Sequence, residues 1–174
     1  MSGRTCMEAA LSKLNYRMRS SRELSTALRD LGYDEEEIRD VMEELENFGY
    51  IDDMRFSEEF IRSSARKNKS SSGILRSLKE KGISSEMAEA AMENYLNGEG
   101  EESSRRSFDR ERALQAGMKM AEEQISRGKE TDERFLAKVG RRLTGLGYDS
   151  STCYYVIGRI KEKGNAADDS EEMF

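Results

Sequence analysis

The chain has 174 residues and a formal net charge of −6, with 37% charged against 36% hydrophobic residues, which is material for a thin core in one or a few small units. It has no proline and no histidine, so helices run unbroken by the strongest breaker while the usual general base and commonest metal ligand are missing. Cys6 and Cys153 make no metal-type spacing and are expected as reduced thiols, and the absence of a membrane-length apolar run or a signal-peptide core in residues 1–14 points to the cytoplasm.

Glu, Lys, Arg, Leu, Met and Ala favour helix, so an all-α fold is expected. Met7, Ala10, Leu11, Leu14 and Met18 share one face of a first helix. Ser20 with Glu23 reads as a capping box for a second, through Leu24, Leu28 and Leu31 to Gly32. Asp34 with Glu37 repeats it for a third, through Ile38, Val41, Met42 and Leu45 to Gly49, where Tyr50 would fold back onto Leu45. Asp52 or Asp53 caps the next helix, of Phe56, Phe60, Ile61 and Ala65, and a turn follows over Asn68 to Ser72. Ile74, Leu75 and Leu78 lead to Gly82; Ser84 or Ser85 then caps a helix with Met87, Ala91, Met92, Tyr95 and Leu96. A polar linker is expected over residues 98–109. Leu114, Met118, Ala121 and Ile125 lead to Gly128. Thr131 caps Phe135, Leu136, Val139 and Leu143 up to Gly147, and Cys153, Val156, Ile157 and Ile160 end at Gly164 before a frayed acidic tail.

Gly32, Gly82 and Gly147 put these segments in register. Eight residues before each stand Leu24, Ile74 and Val139; four before, Leu28, Leu78 and Leu143; one after, Tyr33, Ile83 and Tyr148. The columns at plus six (Ile38, Ala88, Cys153), plus nine (Val41, Ala91, Val156) and plus thirteen (Leu45, Tyr95, Ile160) are apolar too. The expected organisation is three tandem three-helix repeats, residues 1–50, 51–97 and 110–164, in an elongated, curved array with a tail over 165–174.

Charge is segregated along the chain: residues 4–32 carry 6 basic and 3 acidic groups, residues 33–53 carry 1 and 10, and residues 54–82 carry 8 and 3. Single charges of this kind are solvated faces with i,i+4 pairs. As blocks they set basic first and second helices beside acidic third helices, which suits a partner of protein with nucleic acid. The basic candidates are Arg17, Arg19, Arg22, Arg62, Arg66, Lys67, Lys69, Arg76, Lys79 and Lys81. No phosphate-binding glycine loop occurs, and the carboxylates Glu35, Glu36 and Glu37 fit a first helical turn, so no catalytic residue, metal site or cofactor is assigned.

Arg19-Ser20-Ser21-Arg22-Glu23-Leu24, the run Gly49-Tyr50-Ile51-Asp52-Asp53-Met54-Arg55-Phe56, and Gly73 to Ile83 with its Lys81-Gly82-Ile83 turn together resemble the RecX family of bacterial recombination regulators. The resemblance implies a non-enzymatic protein that binds the RecA recombinase in the groove of its filament on DNA and restrains ATP hydrolysis, filament growth and strand exchange; a monomer is expected. It also implies weak or indirect contact with nucleic acid, with Tyr50, Ile51, Asp52, Asp53, Arg55 and Phe56 as the family motif. Many relatives are basic, whereas this chain has a pI near 5.0. The residues alone also allow a helix-turn-helix-like DNA-binding module, although acidic third helices would meet phosphates, or a helical adaptor for another protein.

Overall fold

The computed structural model describes residues 4–98 and 104–171, with side chains up to residue 163. Among these residues there are nine α-helices and no strand: α1 (Cys6–Tyr16), α2 (Ser21–Arg29), α3 (Glu35–Asn47), α4 (Asp53–Ala65), α5 (Ser71–Glu80), α6 (Ser85–Gly98), α7 (Arg105–Ser126), α8 (Glu133–Gly145) and α9 (Ser150–Glu171). The chain divides into two compact units, Met1–Ile61 with Leu75–Asn94, and Arg62–Ile74 with Tyr95–Phe174.

The three glycines in register do the same work. Each has a positive φ, 90° at Gly32, 88° at Gly82 and 96° at Gly147, which a residue with a Cβ adopts only under strain. In each turn the amide after the glycine donates to the carbonyl five residues back: Tyr33 to Leu28 at 3.4 Å, Ile83 to Leu78 at 3.1 Å, Tyr148 to Leu143 at 3.2 Å. The glycine amides donate to Arg29, Lys79 and Thr144, completing the paired bonds that satisfy the last carbonyls of a helix. Of the residues in the six apolar columns, Tyr33, Val41 and Tyr95 are half-buried and the rest are buried.

Within the first unit, α1 to α3 close on Cys6, Ala9, Ala10, Leu24, Leu28, Ile38, Leu45 and Ile51. Small residues take the deepest places on α1, while Met7, Leu11 and Leu14 pack around them. Met18 lies beyond α1 and is exposed. In the second unit α7 to α9 surround Ala113, Ala121, Phe135, Leu136, Val139, Leu143, Val156 and Ile160. Here the buried face of α7 is Phe108, Ala113, Gly117 and Ala121. Of the stripe expected from hydropathy, Ala121 is buried and Leu114 and Met118 pack half-buried against the core, while Ile125 is exposed. Gly117 joins the deepest positions because Val156 approaches so closely that an added Cβ would collide with it.

Several helix ends differ from the expectation. Ser104 and Ser107 cap α7 reciprocally, so residues 105–109 are helix rather than linker; residues 99–103 lie outside the described residues. Asp132, not Thr131, caps α8, accepting from the Phe135 amide at 2.8 Å. α9 runs through Gly164 to Glu171, over most of the expected tail, in keeping with the helix-favouring Ala166 and Ala167. Residues 172–174 lie outside the described residues. Tyr50 donates its amide to the Leu45 carbonyl at 2.8 Å, yet its ring is 62% exposed, and Ile51 fills the core in its place.

Candidate nucleic-acid interface

The family motif builds a joint. Asp52 caps α4 by accepting from the Arg55 amide at 2.9 Å, while the Asp53 carboxylate accepts from the Ser21 amide, 2.8 Å away at the start of α2. Phe56 is buried and stacks on Phe60 with centroids 6.1 Å apart. Ile51, Asp52, Asp53 and Phe56 are thereby engaged in folding, whereas Tyr50 and Arg55 face solvent.

The first unit brings four of the ten basic candidates into one shallow cleft of about 310 Å³: Arg17, Arg19, Arg22 and Lys81. Arg17 closes α1, Arg19 lies in the connection, Arg22 opens α2 and Lys81 follows α5. Their charge is largely answered from within. Glu23 takes Arg17 at 2.9 Å and Lys81 at 2.6 Å, and Asp30 and Glu80 line the same cleft. Burial alone would push the Glu23 carboxyl up, but the hydrogen bonds and charges of Arg17 and Lys81 outweigh it and hold the group at about 2. Glu23 thus leaves the expected capping box: its amide donates to Ser20 Oγ at 3.1 Å, while its carboxylate serves as a counter-ion. Lys81 also lies 5.5 Å from the centroid of Phe60, and its carbonyl accepts from Ser20 Oγ at 2.6 Å. Arg22 rests its methylenes against Gly82, where any side chain would displace them.

The remaining candidates separate. Arg76 and Lys79 line a small depression with Glu89 in the first unit. Arg66 and Lys67 enter a second cleft, of about 480 Å³, in the second unit, where they meet Lys119, Lys138 and Arg142 with Glu123 as the acid. Arg62 and Lys69 line neither cleft, and each has interactions of its own. The sequence reading left out Lys119, Lys138 and Arg142, although Lys138 and Arg142 stand one helical turn apart beside the buried Val139 and Leu143. Arg112 is a structural cation: it donates to the Ala65 carbonyl at 3.3 Å and to Tyr95 Oη at 3.4 Å, and covers the Phe108 ring.

The acidic surface is α3. Asp34 caps it, accepting from the Glu36 and Glu37 amides at 2.8 and 3.0 Å, and Glu35, Glu36, Glu37, Glu43, Glu44 and Glu46 are all exposed. Arg29 holds Glu35 and Arg39 approaches Glu36, which leaves most of this charge to solvent. A helix of this sign is repelled from a nucleic-acid groove, which disfavours reading α3 as a recognition helix. Cys6 and Cys153 are free, buried thiols, and burial raises both. Among the described residues, no helix is long and apolar enough to cross a membrane, and no group of three His, Cys, Asp or Glu could hold a metal ion.

Comparison with known proteins accounts for this arrangement. Residues 6–45 match the family model of the first three-helix domain of RecX, and residues 52–92 that of the second. The chain is 31% identical over 150 residues to the regulatory protein RecX of Oceanobacillus iheyensis, covering 84% of this chain and 50% of that protein. It is 30% identical over 155 residues to that of Mycolicibacterium smegmatis, covering 84% and 74%. It spans about half to two thirds of the length of several such relatives. A crystal structure of RecX from Lactobacillus salivarius shares the fold, with a TM-score of 0.65 at 22% identity over 90% of this chain and 94% of that one. Two three-helix models matched in order, together with the Mycolicibacterium smegmatis relative, 30% identical and covered over 74% of its length, establish that the chain belongs to the RecX family of regulatory proteins.

Proposed function

We propose that this chain regulates the RecA recombinase, mainly as an inhibitor, by binding the groove of the RecA filament on DNA and limiting ATP hydrolysis, filament extension and strand exchange. Membership of the RecX family motivates the reading. The observation that supports it best is the separation of charge: exposed carboxylates along α3 in one unit, and a cleft with five cations and one carboxylate in the other. Nucleic acid alone would repel the first, and an acidic protein alone would repel the carboxylates while leaving the cations useful. A protein filament wound on DNA offers a counterpart to each. Among the ten basic candidates, Arg22, Arg66, Lys67, Arg76 and Lys79 are exposed and, among the described residues, not held by a carboxylate, which makes them the contacts favoured over Arg17 and Lys81.

The experiment is co-sedimentation with RecA filaments assembled on single-stranded DNA. The chain should pellet with filaments and stay in solution with RecA alone at the same concentration. Failure to pellet with filaments would remove the proposal.

A further inference from the structure

The turn that ends α3 holds two large aromatic side chains out of the core. Phe48 is 70% exposed and Tyr50 62%, on either side of Gly49, whose positive φ of 71° sets the turn. Neither ring serves the core: Leu45 and Ile51 fill it on this side, and Tyr50 adds its amide, which donates to the Leu45 carbonyl at 2.8 Å. The outer side of the turn is open, since nothing lies within 4 Å of a Cβ built at Gly49, whereas the turns at Gly82 and Gly147 are covered by Arg22 and by Ser70 with Gly73. Exposed aromatic rings beside an open backbone are the kind of surface that anchors another protein.

The charge around the rings selects the partner. α2 and α5 each end on a base, Arg29 and Lys79, as the negative end of a helix favours, but the last turn of α3 has no base and carries Glu44 and Glu46. Asp40, Glu44 and Phe48 follow one another at single-turn spacing, so one face of α3 runs from carboxylate to carboxylate to ring. Arg39, the one base on α3, approaches Glu36 and Asp40, and among the described residues Glu43 and Glu44 have no ion pair. This helix end is left with a charge that its own dipole opposes, and a cation from outside relieves it. Bases could stack on the rings, but their phosphates would meet these carboxylates. A guanidinium suits both features, since its plane stacks on an aromatic face while its donors reach a carboxylate. We propose that Phe48, Tyr50 and Glu44 form a docking site for a segment of a partner protein in which arginines flank aliphatic residues. The assignment rests on the regulatory reading only in giving such a segment a place on the recombinase. Its test uses no recombinase, so the two fail separately.

The test is fluorescence anisotropy of the full chain with a short labelled peptide that carries arginines one helical turn apart and leucines between them. The parent should bind this peptide and not the same peptide with glutamate for arginine. Phe48→Ser/Tyr50→Ser should bind about tenfold more weakly, the loss expected of an anchor residue, with an unchanged thermal melt because both rings lie outside the core. Glu44→Lys should bind about threefold more weakly and yet melt at a higher temperature, because a base suits that end of the helix and pairs with Asp40 one turn away. Damage to the fold cannot imitate weaker binding by a more stable protein. No binding by the parent, or equal binding by the parent and both variants, would overturn the assignment. So would binding of oligothymidylate that is lost in Phe48→Ser/Tyr50→Ser, which would assign the rings to bases, or a mass that doubles with concentration in the parent and not in that variant, which would mark a contact between two copies of the chain.

Discussion

The Asp53 carboxylate accepts the Ser21 amide at 2.8 Å, joining the start of α4 to the start of α2, and the Asp109 carboxylate takes the Ser71 amide at 2.6 Å and the Ser71 hydroxyl at 2.8 Å in the same way. Ser21 and Ser71 each stand eleven residues ahead of a helix-ending glycine, Gly32 and Gly82. In both cases an acid on the first helix of one repeat caps the second helix of the repeat before it. The positive end of a helix is satisfied from outside its own repeat, so the joint and the helix form together.

Removing that acid should loosen the joint. Asp53→Ala is expected to lose about 1 kcal/mol, the usual worth of a helix cap, read as a lower urea midpoint. Asp109→Asn should lose less, because burial already pushes the Asp109 carboxyl up and an amide oxygen still accepts from Ser71. Equal losses would show that the charge, rather than the hydrogen bond, holds both joints.

Gly32 and Gly82 share a positive φ but not their surroundings. Nothing lies near a Cβ built at Gly32, while one at Gly82 would collide with the Arg22 side chain. Gly32→Ala should cost about 1 kcal/mol from backbone strain alone. Gly82→Ala should cost more, and Gly82→Val more again. Adding Arg22→Gly to Gly82→Ala should cost less than the sum of the two single changes, because the Arg22 Cβ itself collides with the added one, a non-additivity that a urea double-mutant cycle measures directly.

Glycines within helices separate in the same manner. Ala for Gly raises helix propensity by up to about 1 kcal/mol, while overpacking a core costs about 1–3 kcal/mol. At Gly117 the collision with Val156 dominates, so Gly117→Ala should lower the melting temperature and Val156→Ala should partly restore it. At Gly140 the nearest atom is Ile157 Cδ1 at 3.7 Å, ordinary contact distance, so Gly140→Ala should raise it.

Glu23 gives the acid response a specific source. Its folded carboxyl is held at about 2, below the ordinary value near 4.3 expected in the unfolded chain. The stabilisation is therefore present above about pH 4.5 and is lost as pH falls towards 2, amounting to at most about 3 kcal/mol. Glu23→Gln keeps an acceptor but lacks this titration. Thermal melts between pH 5 and 2.5 should show a shallower decline in the variant, and parallel curves would assign acid sensitivity to other carboxylates.

The repeat was legible because helix-ending glycines and their partners follow strict spacing: Leu28, Leu78 and Leu143 accept the predicted bonds from Tyr33, Ile83 and Tyr148. The deepest contacts were harder to read, since Ala9, Ala113 and Gly117 carry little hydropathy while allowing close approach. Charge counted along the chain located the basic candidates but could not show which were already matched. Glu23 looked like a capping residue and proved to hold Arg17 and Lys81. Lys119, Lys138 and Arg142 were hidden because they converge with Arg66 and Lys67 only in three dimensions.

The most direct measurement is the rate of RecA ATP hydrolysis on single-stranded DNA as the chain is added. The rate should fall severalfold as the chain approaches the concentration of filament sites, with Arg66→Glu/Lys67→Glu requiring more protein for the same effect. A rate that stays constant while the chain occupies the filament would contradict the account.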